Sequence, residues 1–180
     1  MLEREFKVKV IGESSGIWIQ QINRKYYRFF DLIQSGNFHK EWWHISNNLT
    51  KIQIEIKKEN MVFFWLSDKY AGSKDAGIYA MGEVIVDPKK ITLSDCELGY
   101  KYCTPEFLKK FTDGNLSCLH FQCKLIKEFI DKPILKEYLR DNPTLKDLSV
   151  IRAPQPANFR VTQEQWQELK QLYPILSYAA

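Results

Sequence analysis

The sequence predicts one α+β domain, built on a strongly bent mixed or antiparallel β-sheet or small barrel surrounded by helices. Three observations predict it. Stretches with two-residue alternation recur from residue 6 to residue 129, and helix-start signals fall between and after them. The 180 residues suit a single core that needs no disulfide or metal staple.

Residues 6–11 alternate as a short strand, an expected extra strand in an N-terminal extension of residues 1–15 ahead of one domain over 16–180. Residues 12–16 read as a loop and 17–20 as the next strand. Asn23 is placed to cap a helix through Tyr27, Phe30 and Ile33, which the Ser35-Gly36-Asn37 cluster stops. After the Trp42-Trp43 pair and a polar segment, Ile52, Ile54 and Ile56 alternate. The fully apolar run 61–66 then reads as a central strand. An exposed loop over 68–75 leads to a strand over 77–86, ended by Asp87-Pro88 and paired antiparallel with its predecessor. Residues 105–111 suit a short helix and 117–129 a strand. Pro133 starts a helix over 134–140 that Asn142-Pro143 stops. Thr162 with Gln165 fits a capping box that opens the helix carrying Trp166, Leu169 and Leu172.

Composition narrows the function classes. Hydrophobic residues at 44% and charged residues at 27% exclude a disordered chain. Aromatics at 14% supply more flat apolar surface than a core of this size uses, which leaves some for recognition. A formal charge of +4 favours a polyanion mildly. The longest apolar runs are too short to span a bilayer, and the N-terminus carries charges where a signal peptide needs an apolar stretch, so a cytoplasmic protein is expected. Cys96, Cys103, Cys118 and Cys123 form no CxxC pair and read as reduced thiols, so no metal is expected.

Catalytic signatures are missing. No GxxxxGK[ST] or GxGxxG string is present, and His39, His44 and His120 stand outside any HExxH or HxE arrangement. Acid pairs such as Asp68 with Asp75, or Glu137 with Asp141, read as solvated charges. No catalytic residue and no cofactor is therefore expected.

Four segments together resemble the EVE domain family, a PUA-like fold related to the YTH readers of methylated adenine. Trp18-Ile19-Gln20-Gln21, with Tyr27 and Asp31-Leu32, is similar to the family's opening strand and helix. Trp43-His44-Ile45-Ser46-Asn47 resembles W-S-V-N, and residues 56–65 resemble I-K-x-G-D-x-V-F-I-W. Residues 75–84 resemble A-G-I-Y-A-V-G-E-V, and residues 142–159 resemble N-P-x-L-K-D-L-S-x-I-R-x-P-Q-G-T-N-F. The chain departs from these patterns in places. Glu59-Asn60 stands for the Gly-Asp turn, Pro156-Ala157 for Gly-Thr, and His44 and Ser46 for Ser and Asn, with apparent insertions near 53–56 and 68–74.

The resemblance implies a reader that flips a modified base of DNA into an aromatic pocket: 5-methylcytosine, 5-hydroxymethylcytosine or N6-methyladenine. It makes Trp43 the principal wall, with Trp18 and Trp65 as further walls and Trp42 as a substitute if the pair is shifted in register. Ser46, Asn47, Ser67, Asn158 and Phe159 would supply hydrogen bonds or close the mouth. Lys69, Lys74, Arg152 and Arg160 would meet phosphates, Arg152 having a rival role in an internal ion pair. The expected context is a monomeric specificity module of a modification-dependent restriction or defence system, fused to or associated with a nuclease or ATPase. Binding of modified RNA, an enzyme acting on a small nucleotide, and a protein-interaction domain are the competing readings.

Overall fold

The computed structural model describes residues 14–45, 55–67, 76–92, 95–96, 98, 101–105, 119–152, 157–174 and 176. The expected strand over 6–11, the alternation at Ile52 and Ile54, and all of the expected helix over 105–111 except its first residue fall outside them.

The sheet has seven strands: β1 (Ser14–Asn23), β2 (Trp42–His44), β3 (Met61–Ser67), β4 (Gly77–Lys90), β5 (Leu119–Glu128), β6 (Ile134–Leu135) and β7 (Asn158–Thr162). Their order is β2-β5-β4-β3-β1-β7, with β6 attached to the end of β4. The fully apolar strand β3 is central, as its sequence predicts, because both of its faces are covered. It pairs antiparallel with β4 and parallel with β1, so the sheet is mixed.

Register shifts bend the long strands: one between β3 and β4, three between β4 and β5, and one between β1 and β7. The curl brings the two sheet edges together, where Asn158 Nδ2 on β7 donates to the His44 carbonyl on β2 at 3.5 Å. The result is a strongly curled half-barrel. Two glycines permit the crowding it requires. A Cβ at Gly77 would sit 2.4 Å from the Ile134 carbonyl oxygen of β6, and one at Gly82 would sit 2.8 Å from the Lys124 carbonyl oxygen, beside a register shift.

The curl separates two cores. On the convex face, Ile17, Ile19, Phe63, Trp65, Ile78, Met81, Phe159 and Val161 pack with Leu139, Leu145, Leu148, Val150, Trp166 and Leu169. The latter group comes from helices α2 (Lys136–Asp141), α3 (Ser149–Arg152) and α4 (Gln163–Leu172) and the turns between them. On the concave face, Trp18, Val62, Phe64, Tyr79, Val84, Phe121 and Trp43 pack with Phe29, Leu32 and Ile33 of α1 (Phe29–Gln34) and with Phe38.

Several boundaries differ from expectation. Asn23 caps a turn rather than α1: its Oδ1 accepts from the Lys25 amide at 2.8 Å and its carbonyl from the Tyr26 and Tyr27 amides, so the helix begins only at Phe29. Strand β4 continues through Asp87-Pro88 to Lys90, because the proline sits in a register shift between Val86 and Lys89, where no ladder donor is required. Ile134-Leu135 spends the predicted first helical turn pairing with Gly77-Ile78, so α2 starts at Lys136. The expected stop holds: Asn142 Oδ1 accepts from the Thr144 and Leu145 amides, both at 2.9 Å. The capping box is complete, with Gln165 N–H donating to Thr162 Oγ1 at 3.2 Å and Thr162 N–H donating to Gln165 Oε1 at 3.1 Å.

Candidate base-binding site

Strand alternation decides which of the expected residues can meet. On β1, Trp18, Gln20 and Ile22 point to the concave face, in register with Val62, Phe64 and Leu66 of β3. Trp43 on β2 points to the same face and touches Phe64 with ring centroids 4.7 Å apart. Gln20 neighbours Phe64, and its Oε1 accepts from Asn158 Nδ2 at 2.7 Å; Asn158 in turn reaches the backbone of His44, next to Trp43. Trp43, Phe64, Gln20 and Asn158 thus close a ring of contacts across the seam of the half-barrel.

Trp43 is 4% exposed and lies against four aromatic rings: Phe64, Phe38 at 5.3 Å, Tyr27 at 5.6 Å and Phe29 at 6.3 Å. Phe64, Phe38 and Phe29 are buried, whereas Tyr27 is half-buried, so Tyr27 marks the side from which solvent reaches the cluster. Despite this packing, Trp43 Nε1 and the hydroxyls of Tyr27 and Tyr102 are buried without a formed hydrogen bond. The Trp43 N–H in particular stands against the usual rule that buried donors are satisfied, for the Glu41 carboxyl neighbours the Tyr27 hydroxyl and Ser35 and Asn37 neighbour that of Tyr102. Backbone pairing holds Tyr102 there: Tyr27 bridges Cys103, Arg28 N–H donates to the Tyr102 carbonyl and Thr104 N–H to the Tyr26 carbonyl.

Glu41 precedes β2 with extended backbone, two residues before Trp43 and on its face. Burial raises its carboxyl from an ordinary 4.5 to about 7, and attraction to the nearby Tyr27 hydroxyl offsets this only in part. Burial and Glu41 both push the Tyr27 hydroxyl upward, so it remains a neutral donor at pH 7. Burial likewise holds the His44 imidazole below its ordinary pKa.

Trp18 occupies a second station on the concave face. Its Nε1 donates to Asn60 Oδ1 at 3.2 Å, and the Arg160 guanidinium lies 5.3 Å above its ring while pairing with Glu55 at 3.0 Å. Asn60 Oδ1 also accepts from the Lys57 amide at 3.1 Å, so Asn60 organises the turn where the sequence lacks Gly-Asp. Glu59 in that turn has a φ of 74°, the left-handed region that a glycine occupies without strain.

The other expected residues divide. Trp65, 2% exposed, and Phe159 lie in the convex core, with the sheet between them and Trp43; neither lines a pocket with it, because their strand parity is opposite. Trp42 is half-buried at the edge strand, out of phase with Trp43. Its Nε1 donates to the Asp95 carbonyl at 3.0 Å, and Lys89 Nζ lies 5.1 Å from its ring centre. Ser67 Oγ donates to the Ile22 carbonyl at 3.2 Å. Arg152 pairs with Asp147 at 3.3 Å, an exposed pair that leaves both of its expected roles open. Ser46, Asn47, Lys69 and Lys74 lie outside the described residues. Sequence reasoning passed over Glu41, Gln20 and Asn60. A polar residue among alternating apolar neighbours, as Gln20 is, carries a signal, and so does the i, i+2 spacing of Glu41 and Trp43.

The EVE domain model matches residues 16–172. The chain belongs to the EVE domain family. The fold of this EVE domain recurs in solved structures of low sequence identity. A hypothetical protein from Leishmania major aligns with a TM-score of 0.57 at 12% identity, covering 89% of this chain and 96% of that one. A protein of Rhodopseudomonas palustris solved by NMR aligns at 0.54 and 15% identity, covering 89% and 94%. Human THYN1, solved in complex with 5-methylcytosine-containing DNA, aligns at 0.57 and 12% identity, covering 87% and 96%. A comparison with curated proteins finds no match by sequence. Among the described residues, no group of His, Cys, Asp and Glu could hold a metal, and no helix is long and apolar enough to cross a membrane.

Proposed function

We propose that this EVE domain is a non-catalytic reader that flips a modified base, 5-methylcytosine, 5-hydroxymethylcytosine or N6-methyladenine, out of DNA and holds it against Trp43. The observation that carries the reading is the concave aromatic cluster with its buried, unpaired Trp43 N–H and Tyr27 hydroxyl. A structure that leaves such donors empty gains when a ligand with acceptors fills them. The human relative solved with 5-methylcytosine-containing DNA supports the same direction.

Extruding a base costs a few kcal/mol of lost stacking and pairing, and stacking on an aromatic ring returns about 1 to 3 kcal/mol. Trp43 and Tyr27 touch at 5.6 Å and are tilted by 52°, so a base enters by parting them. Tyr27 is the ring that yields, since it alone of the four around Trp43 is half-buried. Ser46 and Asn47 follow directly on the Trp43 strand and would close the pocket. Lys69 and Lys74 would meet phosphates, as would Arg152 and Arg160 once released from their carboxylates. A binding module of this kind suits the specificity role in a modification-dependent restriction or defence system, with a nuclease or ATPase supplying the reaction.

The test is a titration of duplexes that differ at one base: cytosine, 5-methylcytosine, 5-hydroxymethylcytosine, adenine or N6-methyladenine, alongside single-stranded RNA of matching sequence. One modified duplex should bind about 10-fold tighter than its unmodified counterpart, the range a methyl contact supplies. Equal Kd values across the DNA panel would falsify the reader function, and tighter binding to modified RNA would move the target from DNA to RNA.

A further inference from the structure

Resting on the reader function proposed above, we infer that Arg24, Lys25 and Arg28, on the turn between β1 and α1, form a seat for the backbone phosphates that flank the flipped nucleotide. Residues 24–28 set three cations around Tyr26 and Tyr27. Tyr27 is the half-buried ring on the solvent side of the Trp43 cluster, so a base that enters past it brings its sugar and phosphates against this turn.

The turn is fixed in advance. Asn23 holds its start through the Lys25, Tyr26 and Tyr27 amides. Residues 101–104 hold the rest: Thr104 Oγ1 donates to the Lys25 carbonyl and Thr104 N–H to the Tyr26 carbonyl, both at 3.0 Å, Tyr27 bridges Cys103, and Arg28 N–H donates to the Tyr102 carbonyl at 2.8 Å. The Arg28 guanidinium also donates to the Lys101 carbonyl. A backbone tied at each residue from Lys25 to Arg28 presents its side chains with little further ordering cost on binding.

Arg24 carries the argument furthest. Its guanidinium carbon lies 5.3 Å from the centres of both the Phe30 and the Tyr79 rings, and its Nη2 donates to the Tyr79 hydroxyl at 3.2 Å. Phe30 adjoins Phe29, which adjoins Trp43, so Arg24 stands one ring out from the cluster. Its Nε is buried without a partner, and among the described residues no carboxylate pairs with it. An apolar side chain would fill a place against two rings equally well, without the cost of a half-buried cation that has no anion. A guanidinium packed on rings still has N–H groups in its plane, and their fork matches a phosphate. Arg28 pairs with Asp31 at 3.6 Å, but both side chains are more than half exposed, and such a pair contributes little and yields readily to a phosphate. The Lys25 ammonium lies 5.4 Å from the Tyr26 ring, on the same turn.

The test follows Kd against salt concentration for the modified duplex that binds best and for its unmodified counterpart. Each phosphate contact contributes about 0.9 to the logarithmic slope on B-form DNA. Lys25→Gln combined with Arg28→Gln should lower that slope by about 2 on both duplexes and leave the ratio of their Kd values unchanged. Arg24→Gln should lower it by about 1, and Arg24→Lys, which keeps the charge, should restore it. Arg140→Gln combined with Lys146→Gln removes equal charge from exposed positions on the convex side and should leave the slope at its wild-type value. In a domain that prefers the modified duplex, an unchanged slope in the Lys25 and Arg28 double variant, or an equal fall in the convex control, overturns this inference alone. A wild-type domain indifferent between the two duplexes overturns the reader function, and with it the placing of these phosphates beside a flipped base.

Discussion

The two faces of the sheet are both rich in aromatic residues, yet they treat polar atoms differently. On the convex face, Trp65, Phe63 and Trp166 pack with aliphatic side chains, and among the described residues one buried unpaired polar atom falls on that side, Gln21 Oε1 on β1 in register with Trp65. On the concave face, Trp43, Tyr27 and Tyr102 each bury a polar atom without a partner, and Glu41 brings a carboxyl among them. A core built only for stability would satisfy or delete such groups. The difference is one of concentration: most of the unmet hydrogen-bonding capacity among the described residues gathers on the concave face.

The contrast is most exposed to failure in the convex core. Trp65→Ala should cost about 3 to 5 kcal/mol in a denaturant melt, the range for deleting a buried aromatic ring. A loss under about 1 kcal/mol would mean that Trp65 is not core and would blur the distinction between the faces.

The concave face should respond to pH where the convex face does not. Glu41 is raised from 4.5 in the unfolded chain to about 7 in the folded one, so between these values the folded state holds the extra proton. Stability contributed by the protonated form is complete below about pH 4.5 and is lost as pH rises through about 7. Unfolding at pH 5 and pH 8 should therefore show wild type losing on the order of 1 to 3 kcal/mol relative to Glu41→Gln, whose profile lacks this slope. Parallel profiles would place Glu41 in solvent rather than in the cluster.

The smallest effect sharpens the comparison by testing the turn that positions Trp18. Glu59 holds a φ of 74°, so Glu59→Gly should stabilise the fold by about 1 kcal/mol, read as a rise in Tm, because relief of left-handed strain outweighs the added freedom of the unfolded chain. A lowered Tm would mean that the Glu59 side chain earns its place by a contact.

Much of the scaffold was legible in the sequence, and the reasons are local. The apolar run of β3 marks a strand covered on both sides, Thr162 with Gln165 writes out its capping box, and Asn142-Pro143 terminates α2 through its own side chain. The misplaced boundaries share a nonlocal cause. Ile134-Leu135 is drawn into pairing with β4, and Pro88 is tolerated because a register shift spares it from donating. The candidate site was legible in part. Motif likeness selects Trp43 and Trp65 together, but only pairing partners reveal that strand parity puts them on opposite faces. Glu41 matches no family motif, and its i, i+2 spacing from Trp43 gains meaning only when β2 sets both on one face.

The most direct test of the two-face account is a parallel titration of wild type, Trp43→Phe and Trp65→Phe with duplexes carrying cytosine or 5-methylcytosine at one position. Both variants keep an aromatic ring and should stay folded. Trp43→Phe should weaken binding of both duplexes about 10-fold, because it removes the indole N–H and shrinks the stacking face of the concave cluster, whereas Trp65→Phe should bind both as wild type does, at a lower Tm. Equal loss in both variants, or loss in Trp65→Phe alone, would contradict the assignment of recognition to the concave face.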